Sequence, residues 1–368
     1  MNYLVTGGTG LIGRYTIENL LKRGGTVYAL VRPSSKHKLD ELRRELRVDE
    51  NRLVFLAGDL TRKNLGIRKK DIDKLRGKIE HLYHVAAVYD ITADPEELKK
   101  ANVDGTRQVV AVAEALQVKC LQYTSSMAVA GVYAGVFRED MFEEAGDIDA
   151  NPYLWSKHHA EKVVRDTCKI PYRIYRPVAV VGHSKTGQID KVDGPYFLFK
   201  GIQKLSRLWP KGVPFPTVAS PRFNVVPVDY VADAMDHIAH QDGLDGGCFH
   251  LSQPDAETVG EIASIFMKTA GGPKKCYRSK VEPLKWLRSR PVEKLKRLSV
   301  MQWAGDKLLD ALQFPRELLF AIDYDQQFDC QRTLDALQGT GISAPKLADY
   351  APVLWGYWER ELDPDRAS

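Results

Sequence analysis

Tyr153 and Lys157 stand four residues apart, and much earlier in the chain Gly7, Gly10 and Gly13 recur at three-residue spacing. On a helix, side chains four residues apart are neighbours, so the phenol and the ammonium would share one face. Glycines in a turn between a strand and a helix let the backbone approach a pyrophosphate at the helix N-terminus. A dinucleotide site combined with a proton donor beside a cation provides the groups that hydride transfer requires.

The elements around the glycines predict a β-α-β unit. An apolar strand at residues 3–5 precedes the glycine turn, and helix-forming sequence at 14–23 follows it and ends at Gly24 and Gly25. A second apolar strand follows at residues 26–31. Such a unit of roughly 30 residues is the context that a dinucleotide-binding glycine motif requires.

The same alternation continues beyond this unit. Apolar strand patterns occur at 53–57, 81–85, 120–124 and 172–175, with helical patterns at 98–116 and 152–167. Strands alternating with helices predict a Rossmann-type α/β fold, a doubly wound parallel sheet covered on both faces. Gly7, Asp59, Ala86, Ser126 and Pro177 each follow a strand, so we expect them to line one crevice at the carboxyl ends of the strands.

The second half of the chain has a less regular pattern. We therefore predict a nucleotide-binding domain formed by residues 1–182 together with about 221–252. A smaller, mostly helical substrate domain would comprise about 183–220 together with 253–368. The length of 368 residues and the hydrophobic content of 44% are sufficient for a core of this size.

Composition restricts the class of protein. There is no run of 18 apolar residues to span a membrane, and the first strand begins too early to leave room for a signal peptide. The five cysteines are scattered without a C-x-x-C motif, which favours free thiols in a reducing, cytoplasmic compartment. The nine histidines show no metal-ligand spacing, so no metal site is expected.

These motifs resemble those of the extended short-chain dehydrogenase/reductases. More narrowly, the sequence is similar to the N-terminal module of bacterial two-module fatty acyl-CoA reductases. The resemblance extends through TGGTGLIGR (6–14), GDLTRKNLGI (58–67), HVAAVYD (84–90), NVDGT (102–106), YTSSMAVAG (123–131), PYLWSKHHAEK (152–162), YRPVAVVG (175–182) and NVVPVDYVADA (224–234). In those proteins a second reductase module follows a stretch like residues 350–365, so this chain is either one module of a longer protein or a free-standing relative.

The resemblance implies a role for each matching residue. Tyr153 would protonate the substrate oxygen, Lys157 would lower the tyrosine pKa and bond the nicotinamide ribose, and Ser126 would hold the carbonyl oxygen. Ser125 is the less favoured of the two serines, and both could instead be ordinary turn hydroxyls. The implied cofactor contacts are Thr6, Gly7, Gly10, Leu11, Ile12, Gly13, Arg14, Arg32, Ser34, Asp59, Leu60, Ala86, Ala87, Asn102, Ser125, Tyr153, Lys157, Pro177, Val178 and Val180.

The charge after the second strand indicates which cofactor is used. An NAD-dependent enzyme would place a carboxylate there, whereas this sequence has Arg32. An arginine accepts a 2′-phosphate that a carboxylate would repel, so we predict NADPH, with Arg14 as a second clamp. The alternative is that these arginines, with Lys36 and Lys38, are solvated surface charges.

A strongly basic segment lies at residues 274–297. Between Pro273 and Val300 there are ten lysines and arginines and two glutamates, a net charge of +8, whereas the whole chain carries +5. This segment could bind CoA phosphates, an acidic carrier protein or an anionic bilayer, or it could be a solvated helix pair. Nucleic acid is not expected as a partner, because the basic charge is confined to this one segment.

We predict an NADPH-dependent enzyme that reduces a fatty acyl-CoA, or the long-chain aldehyde derived from it, toward the alcohol. It would be cytoplasmic, with peripheral membrane contact as an option. Apolar residues of the second domain would line an acyl tunnel or, for most of them, pack in the core: Tyr196, Phe197, Phe199, Leu205, Leu208 and Trp209. The alternatives are a sterol or other hydroxy-lipid dehydrogenase, then a sugar-nucleotide epimerase or dehydratase, then a non-catalytic NADP-sensing regulator.

Overall fold

The computed structural model describes residues 1–89, 93–190, 194–210, 213–218, 221–273, 276–279, 326–363 and 365. The chain divides into two compact units. The first comprises Met1–Val178, Val228–Leu251 and Phe328–Ser343, and the second comprises Ala179–Pro227, Ser252–Gln327 and Ala344–Ser368.

The described strands and helices follow one another in a largely alternating order. The strands are β1 Asn2–Thr6, β2 Thr26–Val31, β3 Leu53–Ala57, β4 His81–His84, β5 Cys120–Thr124, β6 Gly135–Phe137, β7 Tyr172–Pro177, β8 Ala179–Val181, β9 Phe215–Val218, β10 Val225–Pro227, β11 Cys248–Leu251, β12 Cys276–Ser279 and β13 Gln326–Phe328. The α-helices are α1 Leu11–Lys22, α2 Lys36–Leu46, α3 Lys69–Leu75, α4 Pro95–Leu98, α5 Gly105–Ala115, α6 Pro152–Thr167, α7 Phe199–Leu208, α8 Val228–Ala239, α9 Val259–Thr269, α10 Gln331–Ala336 and α11 Leu347–Tyr357.

The first unit contains a seven-stranded parallel sheet in the order β11-β7-β5-β4-β1-β2-β3. Its strands are apolar and buried, with Leu4, Leu82, Leu121 and Ile174 fully inaccessible at its centre. Helices α5 and α6 pack against each other, as do α1 and α8. The predicted Rossmann-type fold is confirmed, and all seven strands end at the same edge of the sheet.

Residues 328–343 belong to the first unit, whereas the sequence pattern assigns them to the second domain. The physical reason is Glu139, which is buried and accepts hydrogen bonds from the start of α10. Its carboxylate oxygens accept from Arg332 N at 2.6 Å and from the Thr333 hydroxyl at 2.6 Å, and also from His250 N at 2.8 Å. A contact that joins positions almost 200 residues apart leaves no local sequence signal.

The second unit is built around aromatic side chains on α7, α9 and α11 and on Trp358, which directly follows α11. The ring of Phe199 lies 4.4 Å from that of Phe266, 5.1 Å from Trp355 and 5.6 Å from Trp358, centre to centre. Phe199 and Tyr196 are buried core residues. Of the other predicted tunnel residues, Leu208 is 81% exposed, while Phe197, Leu205 and Trp209 are half-buried.

Most of the basic segment 274–297 lies outside the described residues, apart from strand β12, which pairs in parallel with β9. The proposed roles of its charges therefore stay predictions. Among the residues that the structure describes, no helix is long and apolar enough to cross a membrane, and no cluster of histidine, cysteine, aspartate or glutamate could hold a metal ion.

Candidate active site

The glycine turn connects β1 to α1 through very close backbone contacts. Gly7 has φ +72°, and a Cβ atom there would lie 2.6 Å from the Ala86 nitrogen. A Cβ on Gly13 would lie 2.1 Å from the Gly7 oxygen. None of the described side chains caps α1, which begins after Gly10, so its first N–H groups are left to solvent or to a ligand. This cradle fits the pyrophosphate of a dinucleotide.

A buried polar chain holds the neighbouring loop against this turn. The Thr6 hydroxyl lies 2.8 Å from Nδ1 of His84 and accepts from the Ala86 N–H at 3.3 Å. The other ring nitrogen of His84 lies 3.0 Å from the Thr106 hydroxyl. Burial, together with the charge of Lys157, lowers the pKa of His84 to about 3. The ring is therefore neutral and serves as a bridge between two hydroxyls, which fixes the backbone of the loop after β4.

The residues after β2 and β3 form the other end of the predicted cofactor site. Arg32 is exposed and directly precedes the short 3-10 helix that contains Ser34. Asp59 accepts hydrogen bonds from the backbone and hydroxyl of Thr61 at 2.9 and 2.8 Å. These bonds, with the nearby charges of Arg32 and Arg62, hold the pKa of Asp59 below its usual value. Arg32 thus lies within electrostatic reach of a carboxylate on the adjacent strand end.

Arg14, predicted as a second phosphate clamp, forms an ion pair with Glu45 of α2. Its side chain is 15% exposed. Lys36 likewise pairs with Asp40 at 2.6 Å. Both cations already have carboxylate partners, whereas Arg32 is exposed, and its contact with a bound phosphate stays a prediction. The clamp role of Arg14 stays a prediction.

Helix α6 carries the phenol and the ammonium. Asn151 caps it by accepting a hydrogen bond from the backbone N–H of Tyr153 at 2.7 Å, and Pro152 occupies the first helical position. Tyr153 is half-buried, whereas Lys157, one turn later, is 3% exposed. The Lys157 nitrogen lies 6.0 Å from the centre of the Tyr123 ring. Burial lowers the pKa of Lys157 to about 8, against the opposing charge of Glu161.

The two serines after β5 have different surroundings. Ser125 is buried and donates its hydroxyl proton to Glu161 at 2.6 Å. Ser126 is half-buried and caps the 3-10 helix Met127–Ala130, accepting from the Ala128 N–H at 3.1 Å. A serine that accepts through its oxygen can still donate its proton. Helix α6 packs against this 3-10 helix, and the role of Ser126 in holding a substrate oxygen stays a prediction.

Asn102 joins the loop after β4 to the catalytic helix. It is buried in the π-helix Lys99–Asp104, and its amide exchanges two hydrogen bonds of 2.8 Å with the backbone of Val88. The same amide donates to the Ser156 hydroxyl at 3.0 Å. Both amide protons are used inside the protein, so Asn102 positions the loop, and its predicted contact with the cofactor stays a prediction.

The predicted residues that follow or end strands of the first unit gather at one edge of the sheet. They follow β1 (Gly7, Gly10, Leu11, Ile12, Gly13, Arg14), β2 (Arg32, Ser34), β3 (Asp59, Leu60), β4 (Ala86, Ala87), β5 (Ser125, Ser126) and β7 (Val178), or end their strand (Thr6, Pro177). Val180 lies in β8, which belongs to the second unit.

Sequence reasoning missed three buried polar residues of this region: His84, Glu161 and Arg176. Arg176 and Glu161 are both fully inaccessible and form an ion pair at 2.5 Å. A signal was present, because Glu161 follows Lys157 by one helical turn and Arg176 interrupts an apolar strand. Charged residues in such positions are almost always paired.

Comparisons with known proteins identify a family, relatives and a solved structure that are similar to this chain. Residues 5–235 match the sequence model of the family described as Male sterility protein. The chain is 28% identical over 274 residues to a linear gramicidin synthase of Brevibacillus parabrevis, a match that covers 70% of this chain and 5% of that protein. It is 30% identical over 224 residues to a carboxylic acid reductase of Segniliparus rugosus, a match that covers 52% of this chain and 18% of that protein. The chain thus spans only a small part of these relatives.

A solved structure matches nearly the whole chain. The terminal R domain from the myxalamid PKS-NRPS biosynthetic pathway superimposes with a TM-score of 0.78 at 26% sequence identity. The match covers 99% of this chain and 92% of that domain.

Proposed function

We propose that this chain, which belongs to the Male sterility protein family of extended short-chain dehydrogenase/reductases, uses NADPH to reduce a fatty acyl-CoA or a long-chain aldehyde. The family membership predicted from the sequence is confirmed by the match over residues 5–235. The chain is accordingly an NAD(P)-dependent reductase of the extended type. NADPH and the fatty acyl substrate are the finer parts of the proposal.

The observation that carries the proposal is the arrangement on α6 and the adjoining 3-10 helix. Tyr153 is half-buried at the start of α6, Lys157 is buried one turn below it, and Ser126 lies on the element that packs against this helix. When bound, NADPH would supply the hydride that reaches the carbonyl carbon. Tyr153 would donate its proton to the carbonyl oxygen, and Ser126 would hold that oxygen by a hydrogen bond.

Lys157 would favour loss of the tyrosine proton, because an adjacent positive charge stabilises the phenolate. On a thioester, one hydride and one proton give a hemithioacetal, which collapses to an aldehyde and a free thiol. A second hydride and proton would give the alcohol. Both steps need the same three side chains, so the proposal includes either one.

Two observations support the choice of NADPH as the cofactor and of an acyl compound or aldehyde as the substrate. Arg32, exposed at the end of β2, is suited to a 2′-phosphate, which supports NADPH. The likeness to a carboxylic acid reductase and to a terminal R domain supports a substrate that carries an activated carboxyl group or the aldehyde derived from it.

The test is the loss of NADPH absorbance with palmitoyl-CoA, decanal and a ketosteroid in parallel, each repeated with NADH. We expect turnover of the acyl-CoA or the aldehyde, and faster turnover with NADPH than with NADH. Turnover of the ketosteroid alone would instead assign a hydroxy-lipid dehydrogenase, and equal use of the two cofactors would contradict the role of Arg32.

The proposal also concerns the binding partners of the basic segment 274–297. We propose a cytoplasmic protein whose basic segment 274–297 contacts CoA phosphates, an acyl carrier or an anionic membrane surface. Acyl-CoA reduction should then weaken as salt is raised, since exposed charges are screened. Reduction of a free aldehyde, which carries no phosphate, should not respond. A longer native chain with a second reductase module is compatible with this proposal.

A further inference from the structure

We infer that Glu161 is a positioning residue for the proposed reduction, because its buried carboxylate keeps Lys157 in the ammonium form and anchors Ser125 against α6. This inference rests on the proposed function, in which the Lys157 ammonium serves both Tyr153 and the cofactor ribose.

The carboxylate of Glu161 is fully inaccessible and fully hydrogen-bonded. Oε2 accepts from the Ser125 hydroxyl at 2.6 Å and from Nε of Arg176 at 3.0 Å. Oε1 accepts from Nη2 of Arg176 at 2.5 Å and from Nε of Arg165 at 2.9 Å. Glu161 therefore connects three elements, α6, β7 and the end of β5. Ser125 is the residue directly before the proposed oxygen-holding Ser126, so the carboxylate also fixes the backbone from which Ser126 extends.

Glu161 is ionised at neutral pH. Burial alone would raise its pKa, but Arg176 and then Arg165 and Ser125 outweigh burial and lower the pKa of Glu161 to about 2. Arg176 is itself inaccessible, and its pKa is raised by the same carboxylate. The negative charge is thus a permanent feature of this part of the first unit.

Lys157 depends on that charge. It is 3% exposed, and burial lowers its pKa to about 8, while Glu161, one helical turn away on the same face, raises it. Two other titratable groups close to Lys157 are uncharged at neutral pH. They are His84 on β4, which is neutral, and Tyr123 on β5, whose pKa burial raises. Tyr153 lies one turn before Lys157 on α6.

The other elements that pack against α6 do not supply a buried counter-charge in the described part of the chain. On α5, Arg107 is exposed, and Glu114 is half-buried and accepts from Lys169 N at 3.1 Å. The 3-10 helix Met127–Ala130 is apolar. On α4 and the π-helix, Glu96, Glu97, Lys99 and Lys100 are exposed, and Asp104 pairs with Arg107 at 2.6 Å. Arg176 on β7 and Arg165 on α6 both donate hydrogen bonds to the Glu161 carboxylate.

Replacing Glu161 by glutamine separates its charge from its shape. Glutamine can still accept the hydrogen bond of Ser125, so the backbone that carries Ser125 and Ser126 stays attached to α6. The Lys157 ammonium would then lose the opposite charge that raises its pKa and would release its proton at lower pH. An opposite charge at this range typically shifts a pKa by about 1–3 units.

The experiment is NADPH binding, measured by fluorescence from pH 6 to pH 9.5 without any substrate. In the unmodified protein, affinity should fall as the pH rises through about 8, the pKa of Lys157. In E161Q, the midpoint of this fall should lie at least about one pH unit lower. The matched control is E139Q, which alters another buried glutamate of the same unit that bonds His250 N and Thr333, and its midpoint should not move.

E161Q leaves Arg176 buried without its partner and could fail to fold. The double variant E161Q/R176M removes both charges, and such paired replacements are often well tolerated. Its midpoint should also be lowered. A folded E161Q or double variant with the midpoint of the unmodified protein would overturn the inference. Because no acyl substrate is present, a lowered midpoint in a protein that reduces no acyl substrate would reject the proposed function and not the role of Glu161.

Discussion

The two ends of the parallel sheet differ in how they use buried polar groups, and strand β4 shows this with two histidines three residues apart. At the carboxyl end, His84 bridges Thr6 and Thr106 and thereby fixes the loop beside the glycine turn. At the amino end, His81 bonds Gln122 at 2.9 Å, stacks with the Tyr3 ring and lies 5.2 Å from the His240 ring, centre to centre. The polar groups of the amino end are bonded to one another, whereas those of the carboxyl end hold loops that carry predicted site residues.

A shifted pKa does not distinguish the two ends. Burial lowers the pKa of His81 to about 4 and that of His84 to about 3. Perturbed titration is often used to locate active sites, but buried structural clusters produce it as well. What distinguishes the carboxyl end is the half-buried Tyr153 and Ser126 above a buried lysine.

The largest effect on cofactor binding should come from a methyl group added to a glycine at the carboxyl end of the sheet. In Gly13→Ala, the new Cβ lies 2.1 Å from the Gly7 oxygen, so α1 must move away from the turn. We expect NADPH affinity to fall by about hundredfold or more, the equivalent of losing two charge-assisted hydrogen bonds.

The control is Gly25→Ala at the amino end, where the Cβ lies 2.3 Å from the Tyr3 ring. This change should lower thermal stability without weakening NADPH binding to the protein that remains folded. Similar losses of affinity in both variants would remove the distinction between the two ends.

A second comparison concerns two arginines. Arg32→Asp at the carboxyl end should weaken NADPH more than NADH, because charge-assisted hydrogen bonds are worth about 1.5–3 kcal/mol, roughly ten- to more than a hundredfold in affinity. Arg52→Ala, at the amino end, removes hydrogen bonds to the Leu21 and Gly25 carbonyls at 2.9 and 3.1 Å. It should reduce stability and leave the preference between the cofactors unchanged. Titration of each variant with NADPH and with NADH measures both affinities. An unaltered preference for NADPH in Arg32→Asp would mean that this arginine is a solvated surface charge.

The third comparison uses the two histidines. Either alanine substitution leaves buried partners unbonded, which should lower the free energy of unfolding by about 1–3 kcal/mol. His84→Ala should also weaken NADPH binding, since the Thr6 hydroxyl that holds Ala86 N loses its other partner. His81→Ala should not. Urea denaturation and cofactor titration of both variants would show whether binding responds to one end only.

The smallest effect is the pH dependence of stability, which should be alike at both ends. A histidine whose folded pKa is depressed binds its proton only in the unfolded chain, so stability is present above the ordinary pKa of 6.5 and is lost as the pH falls below it. Each histidine should contribute up to about 1.4 kcal/mol per pH unit, a value approached well below pH 6.5. His81→Gln and His84→Gln should each reduce the slope of unfolding free energy between pH 6.5 and 5.5. An unchanged slope would show that the ring is not buried neutral.

The sequence predicted the sheet and the pairing of Tyr153 with Lys157 because both depend on local periodicity. It did not predict what Arg14 or Asn102 would contact. Arg14 pairs with Glu45 from α2, and Asn102 bonds Ser156, 54 residues away. These partners are set by the packing of helices on the sheet, which spacing along the chain does not encode. The same holds for Glu139, whose partner Thr333 lies 194 residues further on.

The central claim, that the carboxyl end of the sheet performs hydride transfer with Tyr153 as the proton donor, is tested most directly by Tyr153→Phe. The substitution keeps the ring, so NADPH affinity should be unchanged, while the rate of NADPH oxidation with the accepted acyl-CoA or aldehyde should fall by about 10²–10⁴-fold. Turnover within a few-fold of the unmodified protein would contradict the account.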